Sequence, residues 1–298
     1  MAAPRSWPWR AVPSSGLTEA ETVEAVRLAA RALLSFTKAA RPDWVPPPFE
    51  PWICAEALGI EITTAPGPLG LDALLIPMGE QPRIVCNSAV RSVRRRRFSI
   101  AHELSHLFFE DAEATFHLRA TQRQAFYETD EARRLERFCD RGAAELLMPR
   151  DSLAGWAAPG RFRASAIARM AEAFQVSLQA AALRLLDIQH GPCAAGLFAL
   201  SPPPGATRRT KAGSAGDVTY RAMRVFHGQG FPFLFPVGKS VPRESVVYAC
   251  SLRCEELRGR ETFELGSREV EVNVTAFPLH RNPHAITEPP LVCATFET

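Results

Sequence analysis

Apolar residues recur at helical spacing near the start of the chain. Thr18 and Glu21 form a capping-box pattern, which places the first turn of a helix directly after Thr18. Aliphatic residues and alanines recur every three or four positions, with charged residues between them, which predicts an amphipathic helix over Glu19–Ala40. The proline-rich segment 42–51 ends this helix. The side chains expected to face the core are Val23, Val26, Ala30, Leu33 and Leu34.

Short β-rich runs follow this helix. Residues 60–64, 73–77 and 83–87 are separated by proline and glycine turns, which predicts a small sheet. A short helix at 53–58 precedes it. Asn87 or Ser88 is expected to cap the next helical stretch, because both residue types can accept a hydrogen bond from a free N–H at a helix start.

The middle of the chain has a helix, turn, helix pattern. Helices are predicted over residues 165–174 and 177–188, which is similar to a helix-turn-helix module. The second helix is mostly alanine and leucine, and Gln179 and Arg184 are its two candidate base readers. This composition favours packing or protein docking over direct, sequence-specific DNA binding.

The last third of the chain changes to β-rich runs separated by proline, glycine and charged turns. The pattern predicts five or six antiparallel strands with at most one or two helices, which resembles a small sensor domain of the GAF/PAS type. The runs are 197–200, 218–225, 233–237, 246–252, 270–277 and 291–296.

Composition narrows the class of protein. The 298 residues are 46% hydrophobic and 22% charged, as in globular proteins of two or three domains. A net charge of +3 is nearly neutral and gives no support to nucleic-acid binding through bulk charge, which leaves only local basic patches for such a role. Seven scattered cysteines without a C-x-x-C pair are typical of reduced thiols, and the chain has no run of about 18 apolar residues and no signal-peptide core. A soluble, cytoplasmic protein without a membrane span is therefore expected.

Candidate chemistry is concentrated in an H-E-x-x-H motif. His102 and His106 lie four residues apart in a run of helix formers, so both imidazoles point from one face of a helix and can bind one metal ion. Glu103 lies beside them, where it can take a proton from an activated water. The run Arg94–Arg97 just before the motif spreads around the helix, so most of these side chains are expected to face solvent.

A third ligand is expected from the predicted helix 132–147, which ends before Pro149. Glu136 and Asp140 are again four apart and can both face the first helix. Glu136 is the candidate ligand, and Asp140 the candidate acceptor that fixes the tautomer of a ligand histidine. Glu131 and Glu128 remain alternative ligands. The predicted apolar face of this helix comprises Leu135, Phe138, Cys139, Gly142, Ala143 and Leu146.

Residues 112–130, between the two predicted metal helices, are polar and lack periodic apolar positions. They are expected to form a loop or lid near the cleft. His117 and Tyr127 lie in this segment and are candidate hydrogen-bond donors to a tetrahedral intermediate, although each also fits a simple surface position.

These motifs resemble a known family. The segment R-F-S-I-A-H-E-L-S-H at 97–106, then Glu136 and the A-A-E-L-L-M-P ending at 143–149, are similar to the ImmA/IrrE metallopeptidases in order and spacing. Many members have Asn and Phe where this chain has Asp140 and Gly142. Cys139, Gly142 and Ala143 together resemble the IrrE branch, which regulates the response to radiation and desiccation.

The resemblance implies an α+β chain with several domains. After a disordered leader at 1–16, we expect a zincin-like metallopeptidase domain at 17–153, a helix-turn-helix-like domain at 154–190 and a GAF/PAS-like sensor domain at 191–298. The sensor domain would respond to a small-molecule or redox signal.

The resemblance also implies a function. It is that of a zinc-dependent endopeptidase, with manganese as the alternative metal, that cuts a helix-turn-helix transcriptional repressor and derepresses DNA-damage and radiation stress genes. The alternative is a DNA-binding transcriptional regulator in which the metal site is structural or vestigial.

Overall fold

A computed structural model gives the fold. It describes residues 11–13, 15–66, 71–76, 82–112, 129–156, 162–189, 191–202, 218–232, 234–265, 268–279 and 290–298. Contacts divide the chain into two units, which are described separately: Met1–Ser152 with Ala173–Ser177, and Leu153–Glu172 with Leu178–Thr298. None of the helices in these ranges is long and apolar enough to cross a membrane.

Helix α1 spans Glu19–Ala40, as the sequence predicts. Both hydrogen bonds of the capping box are present: the Glu21 N–H donates to Thr18 Oγ1, and the Thr18 N–H donates to the Glu21 carboxylate. Four of the five predicted core positions are buried. Val23 was assigned wrongly, since it is exposed and the first turn buries Thr22 instead, whose hydroxyl donates to the Thr18 carbonyl.

A three-stranded sheet follows the short helix α2. Its strand order is β1-β3-β2, with β1 parallel and β2 antiparallel to β3. Among the described strands, β2 therefore lies at an edge, and its outer side faces no other strand. The bounds are α2 Pro51–Ala57, β1 Glu61–Ala65, β2 Ala73–Ile76 and β3 Arg83–Asn87.

Two helices, α3 (Val93–His106) and α4 (Asp130–Leu147), carry the predicted metal residues. Ser92 caps α3 by accepting from the Arg95 N–H. The predicted caps were wrong because Asn87 still belongs to β3 and accepts instead from the N–H of Ala89.

Helices α3 and α4 approach each other closely at Gly142. A Cβ added there would lie 2.6 Å from Ser105 Oγ and 2.8 Å from Ser105 Cβ. Only a residue without a side chain permits this separation, because real Cβ contacts are longer. Ser105 directly precedes His106 on α3, and Gly142 lies six residues after Glu136 on α4.

The arginine run at the start of α3 does not behave uniformly. Arg95 is exposed and pairs with Asp72. Arg97 is 1% exposed, and its guanidinium binds the Glu50 carboxylate and the Phe49 and Phe174 carbonyls. The expectation of solvent exposure therefore fails for Arg97, whose charge is neutralised by Glu50 and whose two terminal nitrogens donate to these acceptors.

The second unit begins with two helices, α5 (Ala164–Ala173) and α6 (Leu178–Ile188), at the predicted positions. The last residue of α5, Ala173, and the turn that follows it to Ser177 make their contacts within the first unit. Gln175 in that turn has a positive φ of 53°. On α6, Arg184 is buried and donates to Asp187 at 2.8 Å, so one of the two candidate base readers is engaged within its own helix.

The rest of this unit is a five-stranded antiparallel sheet with one described helix, α7. The strand order is β5-β4-β8-β7-β6. Its core is rich in aromatic residues, among them Phe198, Phe235 and Phe296. The bounds are β4 Cys193–Ser201, β5 Thr219–His227, α7 Val246–Arg253, β6 Leu257–Leu265, β7 Arg268–Leu279 and β8 Leu291–Glu297.

Segment 246–252 is helical, so the prediction of a strand there was wrong. Ser245 accepts from the Tyr248 N–H as an N-cap, and the Glu261 carboxylate accepts from the Val246 N–H at 2.7 Å. These hydrogen bonds satisfy the helix start and outweigh the β preference of its valines and tyrosine. Residues 234–237 form no strand, and β6 was not predicted.

Candidate metal centre

Three potential metal ligands meet between α3 and α4. His102 Nε2 lies 3.0 Å from Glu136 Oε2 and 3.3 Å from His106 Nε2. His106 Nε2 lies 3.6 Å from the other Glu136 oxygen. All three donor atoms lie within 4.8 Å of one another. The four-residue spacing on α3 pairs the imidazoles, and the packing of α4 supplies the carboxylate.

This geometry fits a small divalent ion. Ligand atoms about 2.0–2.2 Å from a tetrahedral zinc are roughly 3.3–3.6 Å apart, close to the separations observed here. Two imidazoles and a carboxylate are also a donor set that zinc accepts. Three protein ligands leave one position open, which is typical of catalytic rather than structural sites.

Asp140 lies on the outer side of His102. Its Oδ1 is 2.9 Å from His102 Nδ1, the nitrogen that does not face Glu136. Burial by itself would lower the pKa of His102, but the hydrogen bonds with Asp140 and Glu136, with the nearby charge of Glu103, raise it to about 9. The negative surroundings therefore favour a positive charge at this place, whether a proton or a metal ion.

Cys139 contacts the other histidine. Its Sγ lies 3.3 Å from His106 Nδ1, and both residues are almost fully buried. Sequence reasoning assigned Cys139 to the apolar face of the helix and missed this contact. The signal that points to it is the spacing of Glu136, Cys139 and Asp140, which puts all three on one side of α4.

Glu103 is buried at 3% exposure beside the histidines. Its Oε2 accepts a hydrogen bond from the backbone N–H of Leu75 at 2.9 Å. Leu75 lies in the edge strand β2, so this bond fixes the carboxylate between the sheet edge and the metal ligands. The sequence motif places Glu103 next to His102, but the bond to β2 comes from tertiary packing.

The remaining candidate residues are not part of this group. Glu131 is exposed at the start of α4 and does not join the cluster of donors found in the described ranges. His117, Tyr127 and Glu128 lie outside the residues that the structure describes.

Comparison with known families identifies the part of the chain that holds this cluster. A family model described as IrrE N-terminal-like domain (Peptidase_M78) matches residues 55–186. Residues 55–186 belong to the IrrE N-terminal-like family. The predicted ImmA/IrrE resemblance is thereby confirmed, and the family suggests a metallopeptidase or a related regulator. The matched range of the IrrE-like domain contains the three ligand candidates and Glu103.

Other comparisons add little. A solved structure of a Mycobacterium tuberculosis transcriptional regulator is similar at 12% identity, with a TM-score of 0.47 over 94% of this chain and 81% of that chain. Similarity this low carries no argument about function. No curated protein matches the chain.

Proposed function

We propose that the protein is a metal-dependent endopeptidase that cuts a helix-turn-helix transcriptional repressor and so derepresses DNA-damage and radiation stress genes. The observation that carries this proposal is the meeting of His102, His106 and Glu136 beside a buried Glu103. The family assignment of residues 55–186 supports the peptidase chemistry.

The three ligand candidates would hold zinc, or manganese as the alternative. A divalent ion at this place would polarise a peptide carbonyl and lower the pKa of a water molecule. His102 and His106 would bind the ion through unprotonated ring nitrogens from one helix face, and Glu136 would do so through a carboxylate oxygen. Asp140 orients the His102 ring from behind through its contact with Nδ1.

Glu103 is the proposed general base and acid. Its carboxylate accepts the proton of the attacking water and returns it to the nitrogen of the leaving amine. The hydrogen bond from the Leu75 N–H holds the carboxylate in position for both transfers. A structural metal site has no use for such a residue, so the buried Glu103 favours catalysis over a vestigial centre.

The outer edge of β2 is the proposed binding place for an extended substrate segment. An edge strand offers backbone groups to which a peptide can add as a further strand. Because Leu75 in this strand contacts Glu103, a peptide bound along β2 would pass the general base. A single cut that removes the dimerising part of a repressor is enough, since tight operator binding depends on paired half-sites.

The second unit is proposed as a GAF/PAS-like sensor that follows a helix-turn-helix-like segment. Its antiparallel sheet with one described helix supports this interpretation. A redox signal would have to reach Cys254, the exposed thiol, since burial raises the pKa of Cys250 to about 12. The alternative of direct DNA reading has less support, because Arg184 is buried and bound to Asp187.

The test is cleavage of a defined substrate. The zinc-loaded full-length protein is incubated with the helix-turn-helix repressor encoded by the neighbouring gene, and fragments are identified by mass spectrometry. We expect one specific cut with the parent protein and none with Glu103→Gln, which should still bind zinc.

Gel-shift measurements separate the alternative function. Tight, sequence-selective DNA binding by Glu103→Gln, with no repressor cleavage by the zinc-loaded parent, would contradict the peptidase proposal and favour the DNA-binding regulator.

A further inference from the structure

The two histidines of the metal centre have different neighbours on their outer sides. His102 Nδ1 contacts the Asp140 carboxylate, whose side chain is 58% exposed. His106 Nδ1 contacts the Cys139 sulfur, and both of these residues are at most 1% exposed. A carboxylate therefore contacts the partly buried histidine, and a thiol contacts the fully buried one.

The tautomer that metal binding requires decides which atom donates in the contact between His106 and Cys139. His106 Nε2 faces His102 and Glu136, so it must carry a free lone pair to bind a metal. The proton of the neutral ring then lies on Nδ1, and Nδ1–H points at the Cys139 sulfur. If the S–H donated to Nδ1 instead, the proton would lie on Nε2 and block the metal position.

We infer that Cys139 is a positioning residue whose sulfur accepts a hydrogen bond from His106 Nδ1–H and thereby holds the His106 ring, in the metal-binding tautomer, toward Glu136. This inference rests on the proposed metallopeptidase function. It assigns to the thiol the role that carboxylates and carbonyls usually have behind metal-bound histidines.

The packing of the two helices explains why sulfur suits this position. Cys139 is 0% exposed and lies one turn before Gly142, where α3 and α4 are in closest contact. A carboxylate at position 139 would lose its hydration, which is costly for a buried charge. A thiol is apolar enough for this interface and still accepts a weak hydrogen bond. Asp140 can carry a charge because its side chain reaches solvent.

The experiment compares three variants of the full-length chain. Cys139→Ala removes the acceptor, Cys139→Ser keeps an acceptor of similar size, and Cys54→Ala removes a buried thiol of α2 outside the metal cluster. Zinc affinity is measured by competition with a chromophoric chelator. Ring nitrogens and the His106 Nδ1–H proton are observed by ¹⁵N-edited NMR of the zinc-loaded proteins.

We expect Cys139→Ala to weaken zinc binding about 10- to 100-fold, which is the usual effect of losing such a support. Its His106 Nδ1–H resonance should move upfield because the hydrogen bond is lost. Cys139→Ser should restore most of the affinity, and Cys54→Ala should bind zinc like the parent.

Two results would overturn the inference. One is parent-like zinc affinity and an unchanged Nδ1–H resonance in Cys139→Ala. The other is a Cys139→Ser variant as weak as Cys139→Ala, which would indicate that position 139 serves packing. Failure of the proposed function is distinguishable, because it would appear as zinc binding by the parent without repressor cleavage, while the effects of Cys139→Ala and Cys139→Ser on zinc affinity would remain. Failure of both the parent and Cys54→Ala to bind zinc would overturn the inference together with the proposed function.

Discussion

The two units of the protein differ in what they bury. The first unit buries Arg97, Glu103 and His106, each at 3% exposure or less, and each contacts an oppositely charged or hydrogen-bonding group. The core cluster of the second unit consists of apolar side chains, with Phe198 and Phe296 fully buried, while the buried Arg184 of this unit is paired with Asp187 on its own helix. Buried polar groups are costly unless they are paired, whereas buried aromatic groups stabilise directly.

Because of this difference, we expect mutations in the two units to affect different properties of the protein. In the first unit, a conservative change at a buried polar residue is expected to remove chemistry while the fold remains. In the second unit, a change in the core is expected to lower stability and to leave the metal centre intact. Mutations in each unit can test this comparison.

The largest effect is expected at Glu103. Replacing its carboxylate by an amide in Glu103→Gln keeps the size and the acceptor for the Leu75 N–H but removes the proton acceptor. Peptide cleavage should fall about 10²- to 10⁴-fold, as is typical when a general base is lost. Zinc content by atomic emission should match the parent, and a loss of zinc would indicate a structural role instead.

Next in size is Phe198→Ala in the second unit. Phe198 is 0% exposed, and its ring packs edge-to-face against Phe235 and Phe296, with ring centroids 5.9 and 6.1 Å apart. The cavity should lower the free energy of unfolding by about 3–5 kcal/mol, measured by denaturant titration. Zinc affinity should be unchanged in the folded protein. A parallel drop in zinc affinity would break the separation between the two units.

A smaller effect is expected from Gly142→Ala in the first unit. The added methyl group would lie 2.6 Å from Ser105 Oγ, so α3 and α4 must move apart. We expect a loss of about 1–3 kcal/mol in unfolding free energy, as for other overpacked cores, together with weaker zinc binding. Gly155→Ala is the control, because no atom lies within 4 Å of the added Cβ. Equal effects of the two variants would contradict the close approach of the helices.

The smallest effect concerns helix caps. Ser245→Ala removes the side chain that accepts from the Tyr248 N–H at the start of α7, and Thr129→Ala does the same at the start of α4. Each should cost about 1 kcal/mol of unfolding free energy. Thermal melts measure the stability of both variants, and zinc titrations measure their affinity for the metal. Thr129 caps α4, which carries Glu136, whereas Ser245 caps a helix without a ligand candidate. A change in zinc affinity for Ser245→Ala would contradict the prediction.

Helical spacing was the most informative feature of the sequence. The pairs His102 and His106, and Glu136 and Asp140, were predicted from a spacing of four residues, and the structure brings all four side chains together. Hydrogen bonds between neighbours in the chain set these helices, so the local sequence is enough to predict them. The helix at 246–253 was missed because a side chain of another strand, Glu261, supports its start.

The sequence by itself determined the two helices that carry the ligand candidates and the apolar face of α4, because each depends on residues within a few turns of one another. The motifs spaced along residues 97–149 were enough to indicate the family. The structure places Glu136, the ligand candidate that the sequence favoured, beside the histidines, and does not place Glu131 there. Tertiary structure alone decided that Leu75 holds Glu103 and that the sulfur of Cys139 lies behind His106. Those contacts join residues about 30 positions apart. The contacts of Glu136 and Cys139 need α3 and α4 close together, which Gly142 permits because it has no side chain, whereas the Leu75 contact joins β2 to α3.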